Sequence, residues 1–162
     1  MTDPYPQHRP NAGAVIFNRE GRVWIGRRAD VQGEYVWQFP QGGMDDGEDA
    51  EAAARREAYE ETGARSEQLE TLGMIDRWLT YDFPADLPTR ADQARFNWKG
   101  QKQRWYAFRW LGQDTEFDLT AVPPQEFDAW RWERLAEVPP LIIHWKRGVY
   151  DEVADEFSCF AR

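Results

Sequence analysis

Glu57, Glu60 and Glu61 stand at i, i+3 and i+4. On a helix, at ~100° per residue, they fall within an arc of roughly 100° on one face. Like charges at that spacing repel, so a helix carrying them needs something to neutralise them. Carboxylate oxygens suit a hard divalent cation such as Mg²⁺ or Mn²⁺. Such a cation would acidify a bound water. Ala50, Ala53 and Ala54 project near the same face. Their small side chains suit a cation with its phosphates, or close packing on a sheet, or both. An isolated Glu-x-x-Glu-Glu is more often a solvated acidic face, so the surrounding residues must decide.

The elements that would position this triplet read as follows. Ala12 to Phe17 alternates like a strand, Asn18 to Gly21 has turn chemistry, and Arg22 to Arg27 returns as a second strand. Trp37 to Pro40 is a short extended piece, and Gln41 to Gly47 a loop with three glycines. A helix is expected from about Glu48 to Thr62, with an alanine-rich interior, acidic residues in its first turn and Gly63 as its stop. One or two strands fit residues 68–82, and a long loop with Pro84 and Pro88 fits 83–100. Residues 104–110 and 127–132 are β-prone, and Val149, Val153, Phe157 and Phe160 give the C-terminal segment helical spacing. Strands, helix, strands, helix points to a mixed sheet with packed helices.

Composition narrows the field. The chain has 162 residues, the size of one domain, and nine Trp, which a disordered chain does not carry. Its single Cys159 excludes an internal disulfide and a Cys-based zinc site. No run of ~18 apolar residues offers a membrane helix, and the first residues lack a secretory pattern, so a soluble, cytoplasmic domain is expected. The net charge of −9 argues against holding long double-stranded nucleic acid by bulk electrostatics. The charge is uneven: residues 41–65 carry eight acidic and three basic side chains, whereas 93–109 carry five basic ones (Arg95, Lys99, Lys102, Arg104, Arg109) and no acid. An acidic pocket beside a basic, aromatic strip suits a metal-dependent enzyme acting on phosphate esters.

The surroundings of the triplet decide for chemistry. Gly42, five residues, Glu48, seven residues, then Arg56-Glu57-Ala58-Tyr59-Glu60-Glu61-Thr62-Gly63-Ala64 fills every fixed position of the Nudix box. The two positions where that family has a bulky aliphatic residue hold Ala58 and Ala64. The chain thus resembles a Nudix hydrolase throughout, as a single domain over residues 1–162 with its box at 42–64. The resemblance implies the α/β Nudix fold, an α/β/α sandwich with a mixed sheet, and hydrolysis of a nucleoside diphosphate linked to another group. It implies divalent metal at Glu57, Glu60 and Glu61, with Gly42 at the metal site and Mg²⁺ as the cation, Mn²⁺ or Zn²⁺ as substitutes. Glu48 would support the site or the helix start, and Arg56 would orient a box carboxylate. Gly42 and Gly43 would let the chain turn tightly, and Gly63 would end the helix. The general base is expected from Glu60, Glu61 or Glu126.

Flanking residues point to a branch. Arg9 to Gly13, Trp37 to Gly43, Gly100 to Tyr106 and Pro124 to Trp132 resemble the bacterial RNA pyrophosphohydrolases, a likeness running from about residue 7 to 158. Residues 78–84 and 98–101 are also similar to plant-type diadenosine tetraphosphate hydrolases. The branch implies a further metal-site carboxylate at Glu126. It implies contacts to 5′ phosphates and first nucleotides from Arg9, Arg28, Gln101, Lys102 and Lys146, and base stacking on Trp145. Expected activity is conversion of 5′-triphosphate RNA ends to monophosphates, initiating mRNA decay. Diadenosine tetraphosphate hydrolysis as the main activity and a non-catalytic nucleotide- or RNA-binding domain are the alternatives; oligomeric state is left open.

Other residues have plainer expectations. Trp105, Trp110, Trp130 and Trp132 should pack in the core, and Tyr81 is either pocket wall or core. His144 should pack at a helix end, His8 (where the branch has Tyr) should be exposed, and Cys159 passive. Lys102 and Arg104 share a strand face, so at least one is expected to be plain solvent-facing charge.

Overall fold

The computed structural model describes residues 2–85 and 98–162; Pro88 and Arg95, assigned above to the loop and the basic strip, lie outside them. The elements run β1 (His8–Phe17), β2 (Val23–Arg28), β3 (Trp37–Gln38), β4 (Gln41–Gly43), α1 (Ala50–Thr62), β5 (Leu69–Met74), β6 (Leu79–Asp82), β7 (Gly100–Trp110), β8 (Phe127–Glu133) and α2 (Arg147–Glu156). Among the described residues eight strands form one mixed sheet ordered β3-β2-β1-β7-β5, with β4 on β1, β6 on β7 and β8 on β2. Its spine is the parallel pair β1 and β7, in register from His8 opposite Gly100 to Phe17 opposite Arg109.

Alternation along these two strands builds two cores. Ala12, Ala14 and Ile16 of β1, with Tyr106, Phe108 and Trp110 of β7, face α1 through Ala53, Ala54 and Ala58. Val15 and Phe17, with Trp105 and Ala107, face α2 through Val149, Tyr150 and Val153. The result is an α/β/α sandwich. The alanines serve close packing: Ala53, Ala54 and Ala58 are fully buried, so the α1 backbone lies near the sheet and its glutamates emerge at the seam.

Local chemistry fixes the limits of α1. The Asp49 carboxylate accepts the Ala52 N–H at 3.0 Å, so the helix begins at Ala50, two residues later than expected. Gly63 ends it in the left-handed conformation, φ 80°, its N–H bonded to the Tyr59 carbonyl.

Three expectations about elements change. Gln41–Gly43 is a strand, not loop, because its backbone pairs with Asn11–Gly13. Strands β1 and β7 each extend four residues N-terminally of the expected starts, since each supplies the other's ladder. Trp105 and Trp110 are buried, but Trp130 and Trp132 only border the α1-side core.

Candidate active site

Strand β4 passes beneath α1, with Glu57 and Glu61 of the helix against it and Glu60 joined to Glu57 through Arg56. A Cβ on Gly42 would lie 2.2 Å from the Glu57 carboxyl carbon, so only glycine permits this approach. Glu61 is buried, and the Gln41 amide donates to its Oε2 at 2.9 Å. Arg56 ties the group together. Its Nε and Nη2 grip Glu48 bidentately, both at 2.9 Å. Its Nη1 reaches Glu57 at 2.8 Å and Glu60 at 3.2 Å, and Nη2 also donates to the Gly43 carbonyl at 2.9 Å. Glu48 in turn accepts the Asp45 amide at 2.9 Å. Glu48 is therefore both a strut for Arg56 and a brace for the turn before α1.

The electrostatics follow from crowding. Burial first, then the Glu60 charge, pushes the Glu57 carboxyl up to about 7; Arg56 opposes this and Glu126 adds to it. Glu61 is raised well above the ordinary carboxylate range by burial, with Glu57 and Glu126 adding repulsion and the Gln41 amide opposing it. Glu126 contributes from the exposed segment before β8, where its carbonyl accepts the Ala29 amide at 2.9 Å. Among the described residues no three acidic, His or Cys side chains already converge as a ligand set; Arg56 draws Glu57 and Glu60 to itself, and Gln41 holds Glu61. The donor chemistry nevertheless fits a hard dication. Oxygen donors repel one another, Glu61 from a buried position and Glu57 from a half-buried one against Gly42, while Glu60 reaches solvent.

On the α2 side of the sheet, next to these carboxylates, lies a polar rim. Register aligns Arg9, Gln101 and Tyr81 across β1, β7 and β6. The Arg9 guanidinium lies over Gly43, where a Cβ would be 2.4 Å from Nη2. Tyr81 is buried and donates to Gln101 Oε1 at 2.9 Å, so it is core and pocket wall together. Lys146 lies over its ring, 5.7 Å from the centroid, and reaches Gln38 Oε1 at 3.4 Å. Positive charge from Arg28 and Arg9 is felt at the Tyr81 hydroxyl, which brings Arg28 into the same rim. Trp145 is partly buried against the α2-side core.

Lys102 does not join this group. It faces the α1 side, next to Gln101 but on the opposite face of β7. Its ammonium pairs with Asp3 and lies 5.0 Å from the centroid of the Trp78 ring. Arg104 covers the same ring at 4.6 Å and approaches Asp76 at 3.4 Å. Neither is plain solvent-facing charge, contrary to the expectation, because the indole gives both a partner. His8 is buried, not exposed: its Nε2 lies 2.7 Å from Asp82 Oδ1, and the Tyr5 ring meets it edge-on. His144 is exposed, in the turn leading into α2 with its ring edge-on to Trp145 at 5.3 Å between centroids, and Cys159 is exposed and free.

Sequence reading missed the amide network beneath the rim. Gln103 donates to Asn11 at 3.0 Å and to Gln41 at 3.2 Å, and accepts from the Trp105 indole at 3.3 Å. It fixes the strand whose Gln41 amide serves Glu61. The shared parity of Gln101 and Gln103 was a usable signal for the face. Tyr150, whose hydroxyl accepts the Phe39 amide at 3.0 Å beneath the site, left no such signal.

Comparison with known proteins gives the chain a family. The NUDIX domain model matches residues 7–153. The RNA pyrophosphohydrolase of Caulobacter vibrioides is 54% identical over 158 residues, covering 98% of this chain and 90% of that protein. The RNA pyrophosphohydrolase of Rhodopseudomonas palustris is 46% identical over 160 residues, covering 95% and 93%. Among solved structures, a C. elegans Ap4A hydrolase in a binary complex has a TM-score of 0.63 at 21% identity, covering 93% of this chain and 96% of that one. The E. coli dihydroneopterin triphosphate pyrophosphohydrolase has a TM-score of 0.67 at 19% identity, covering 92% and 98%. These two likenesses speak for the fold alone. With Glu57 and Glu61 of the box set against β4, a family match across most of the chain and a relative more than half identical, the protein belongs to the NUDIX domain family.

Proposed function

We propose that this protein is a metal-dependent RNA pyrophosphohydrolase that converts 5′-triphosphate RNA ends to 5′-monophosphates. The observation that carries the proposal is the mutually repelling pair of half-buried Glu57 and buried Glu61 set beside a rim of Arg9, Arg28, Gln101 and Lys146. Near-full-length identity to proteins named RNA pyrophosphohydrolase supports the choice of substrate.

Glu57, Glu60, Glu61 and Glu126, with Gly42 backing Glu57, would hold Mg²⁺ or, in its place, Mn²⁺ or Zn²⁺. When bound, the cation shields the phosphates and lowers the pKa of a water. The chain's own residues do the rest. Arg56 positions Glu57 and Glu60 through the contacts described. Arg9 and Arg28 present guanidinium forks, which match phosphate oxygens in pairs, and Lys146 adds a point charge. Trp145 offers an indole for the first bases. Water adds at phosphorus, an anhydride P–O bond breaks, and pyrophosphate, or phosphate in two successive steps, departs. The water's proton goes to a carboxylate that reaches solvent, Glu60 or Glu126. We assign the whole of residues 1–162 to this one domain, acting in the cytoplasm at the start of mRNA decay. No described helix is long and apolar enough to cross a membrane.

The test uses a defined RNA with labelled 5′ phosphates, incubated with and without Mg²⁺. Release of labelled pyrophosphate or phosphate, with the RNA body uncut and a 5′-monophosphate left, is expected only with the metal. Cleavage of diadenosine tetraphosphate with triphosphorylated RNA untouched would overturn the assignment.

A further inference from the structure

A second set of aromatic and cationic side chains lies next to the rim, apart from the residues assigned above to the 5′ end. The Arg28 amide donates to the Val36 carbonyl at 2.9 Å, so Tyr35 and Trp37 run alongside the end of β2. Tyr35 is 46% exposed, and the Arg147 guanidinium lies over its ring at 5.7 Å. Arg147 follows Lys146 directly. It is not consumed by a partner of opposite charge: among the described residues no carboxylate pairs with it, its Nη2 contacts are the Pro140 and Ile142 carbonyls at 3.4 and 3.3 Å, and its Nε is buried without a hydrogen-bond partner. Trp37 opposes Arg27 in the ladder, packs against the α2-side core, and carries the Arg131 guanidinium over its ring at 4.4 Å. Arg131 is itself exposed and pairs with Glu133 at 3.1 Å.

Two arginine–aromatic pairs, side by side on the same face of the sheet as Lys146, have the makeup of a single-strand track. Rings stack on any base, and the guanidinium groups attract phosphates and stack as well. A bare nucleoside polyphosphate has no further nucleotides to lay on such a surface, whereas an RNA chain continues beyond the 5′ site.

Resting on the RNA pyrophosphohydrolase reading, we propose that Tyr35–Arg147 and Trp37–Arg131 form a secondary track. It seats unpaired nucleotides of the RNA body just 3′ of those held at the 5′ site, and it makes the enzyme prefer oligonucleotides to short substrates.

The experiment compares kcat/KM for a 5′-triphosphorylated dinucleotide and an unstructured octanucleotide of the same 5′ sequence. The wild type, Tyr35→Ala, Tyr35→Phe and Arg131→Ala are measured in parallel. Binding of a fluorescent octanucleotide carrying a 5′-monophosphate is followed by anisotropy. The octamer-to-dimer ratio should be well above one in the wild type and fall about tenfold, the loss of one base stack, in Tyr35→Ala. It should be retained in Tyr35→Phe and reduced severalfold in Arg131→Ala, with anisotropy affinities moving in step. A wild-type ratio near one, or a ratio and affinity unchanged in Tyr35→Ala and Arg131→Ala, overturns the track. Failure of the wild type to hydrolyse any triphosphorylated RNA would instead overturn the functional reading, and the binding measurement would still report on the track.

Discussion

Replacing Arg56 by Gln removes a guanidinium that touches Glu48, Glu57, Glu60 and the Gly43 carbonyl together. A charge-assisted hydrogen bond contributes about 1.5–3 kcal/mol. The Arg56 side chain is 31% exposed, so solvent screening puts these contacts at the low end, and Gln can replace one of them. Contacts that share one guanidinium do not add; counted as the equivalent of about two independent bonds they give a net loss of about 3 kcal/mol, which for a domain of this size lowers Tm by about 6–12 °C. The site should suffer more than the fold. Without the guanidinium, Glu57 loses the main influence holding its pKa down, so more of it is protonated at neutral pH and metal must displace that proton. Turnover should fall at least about 100-fold, with part of the loss recovered by raising Mg²⁺ or pH. Arg56→Lys should recover stability poorly, since an ammonium cannot grip Glu48 bidentately and reach Glu57 as well. The assays are thermal unfolding and kcat as a function of Mg²⁺. A Tm within about 2 °C of wild type, with unchanged Mg²⁺ dependence, would refute this reasoning.

Three further outcomes follow from the same geometry. Gly42→Ala puts a methyl 2.2 Å from the Glu57 carboxyl carbon; the carboxylate must swing away, and turnover should drop by orders of magnitude while circular dichroism stays native. Gly63→Ala forces a side chain into φ 80° and to within 2.7 Å of the Asp118 amide; it should destabilise by more than about 1 kcal/mol, read by urea unfolding, with little change in KM. Metal-free protein should lose stability as pH rises. Glu57 and Glu61 bind protons more tightly folded than unfolded, so their contribution is complete below about pH 4.5, the ordinary Glu value, and for Glu57 is gone above about 7. The contribution of these two side chains, isolated by comparison with Glu57→Gln and Glu61→Gln, should therefore decline between pH 5 and 8.

What was legible in the sequence was local. Helix α1, its glycine stop and the alignment of Glu57, Glu60 and Glu61 depend on spacing within thirteen residues, and so could be read directly. A mixed sheet with packed helices followed from the order of elements, and the sandwich from the resemblance to the Nudix family. Whatever depends on strand register was hidden. Nothing near Gln41 announces that it pairs with Gly13 and so offers its amide to Glu61. Nothing near His8 announces Asp82, seventy-four residues away, whose contact turns an expected surface residue into a buried one. Lys102 shows a subtler case: its charge and neighbourhood suit phosphate binding, but strand parity puts it on the face opposite Gln101.

On the proposed function, divalent cations must displace protons from Glu57 and Glu61, and calorimetric titration reads that exchange directly. Mg²⁺ or Mn²⁺ is titrated into metal-free protein near pH 6.5, in two buffers of different ionisation enthalpy. Release of about one proton or more per protein is expected, reduced in Glu57→Gln and in Glu61→Gln. Binding with no proton release, or release unchanged in both variants, would contradict the account.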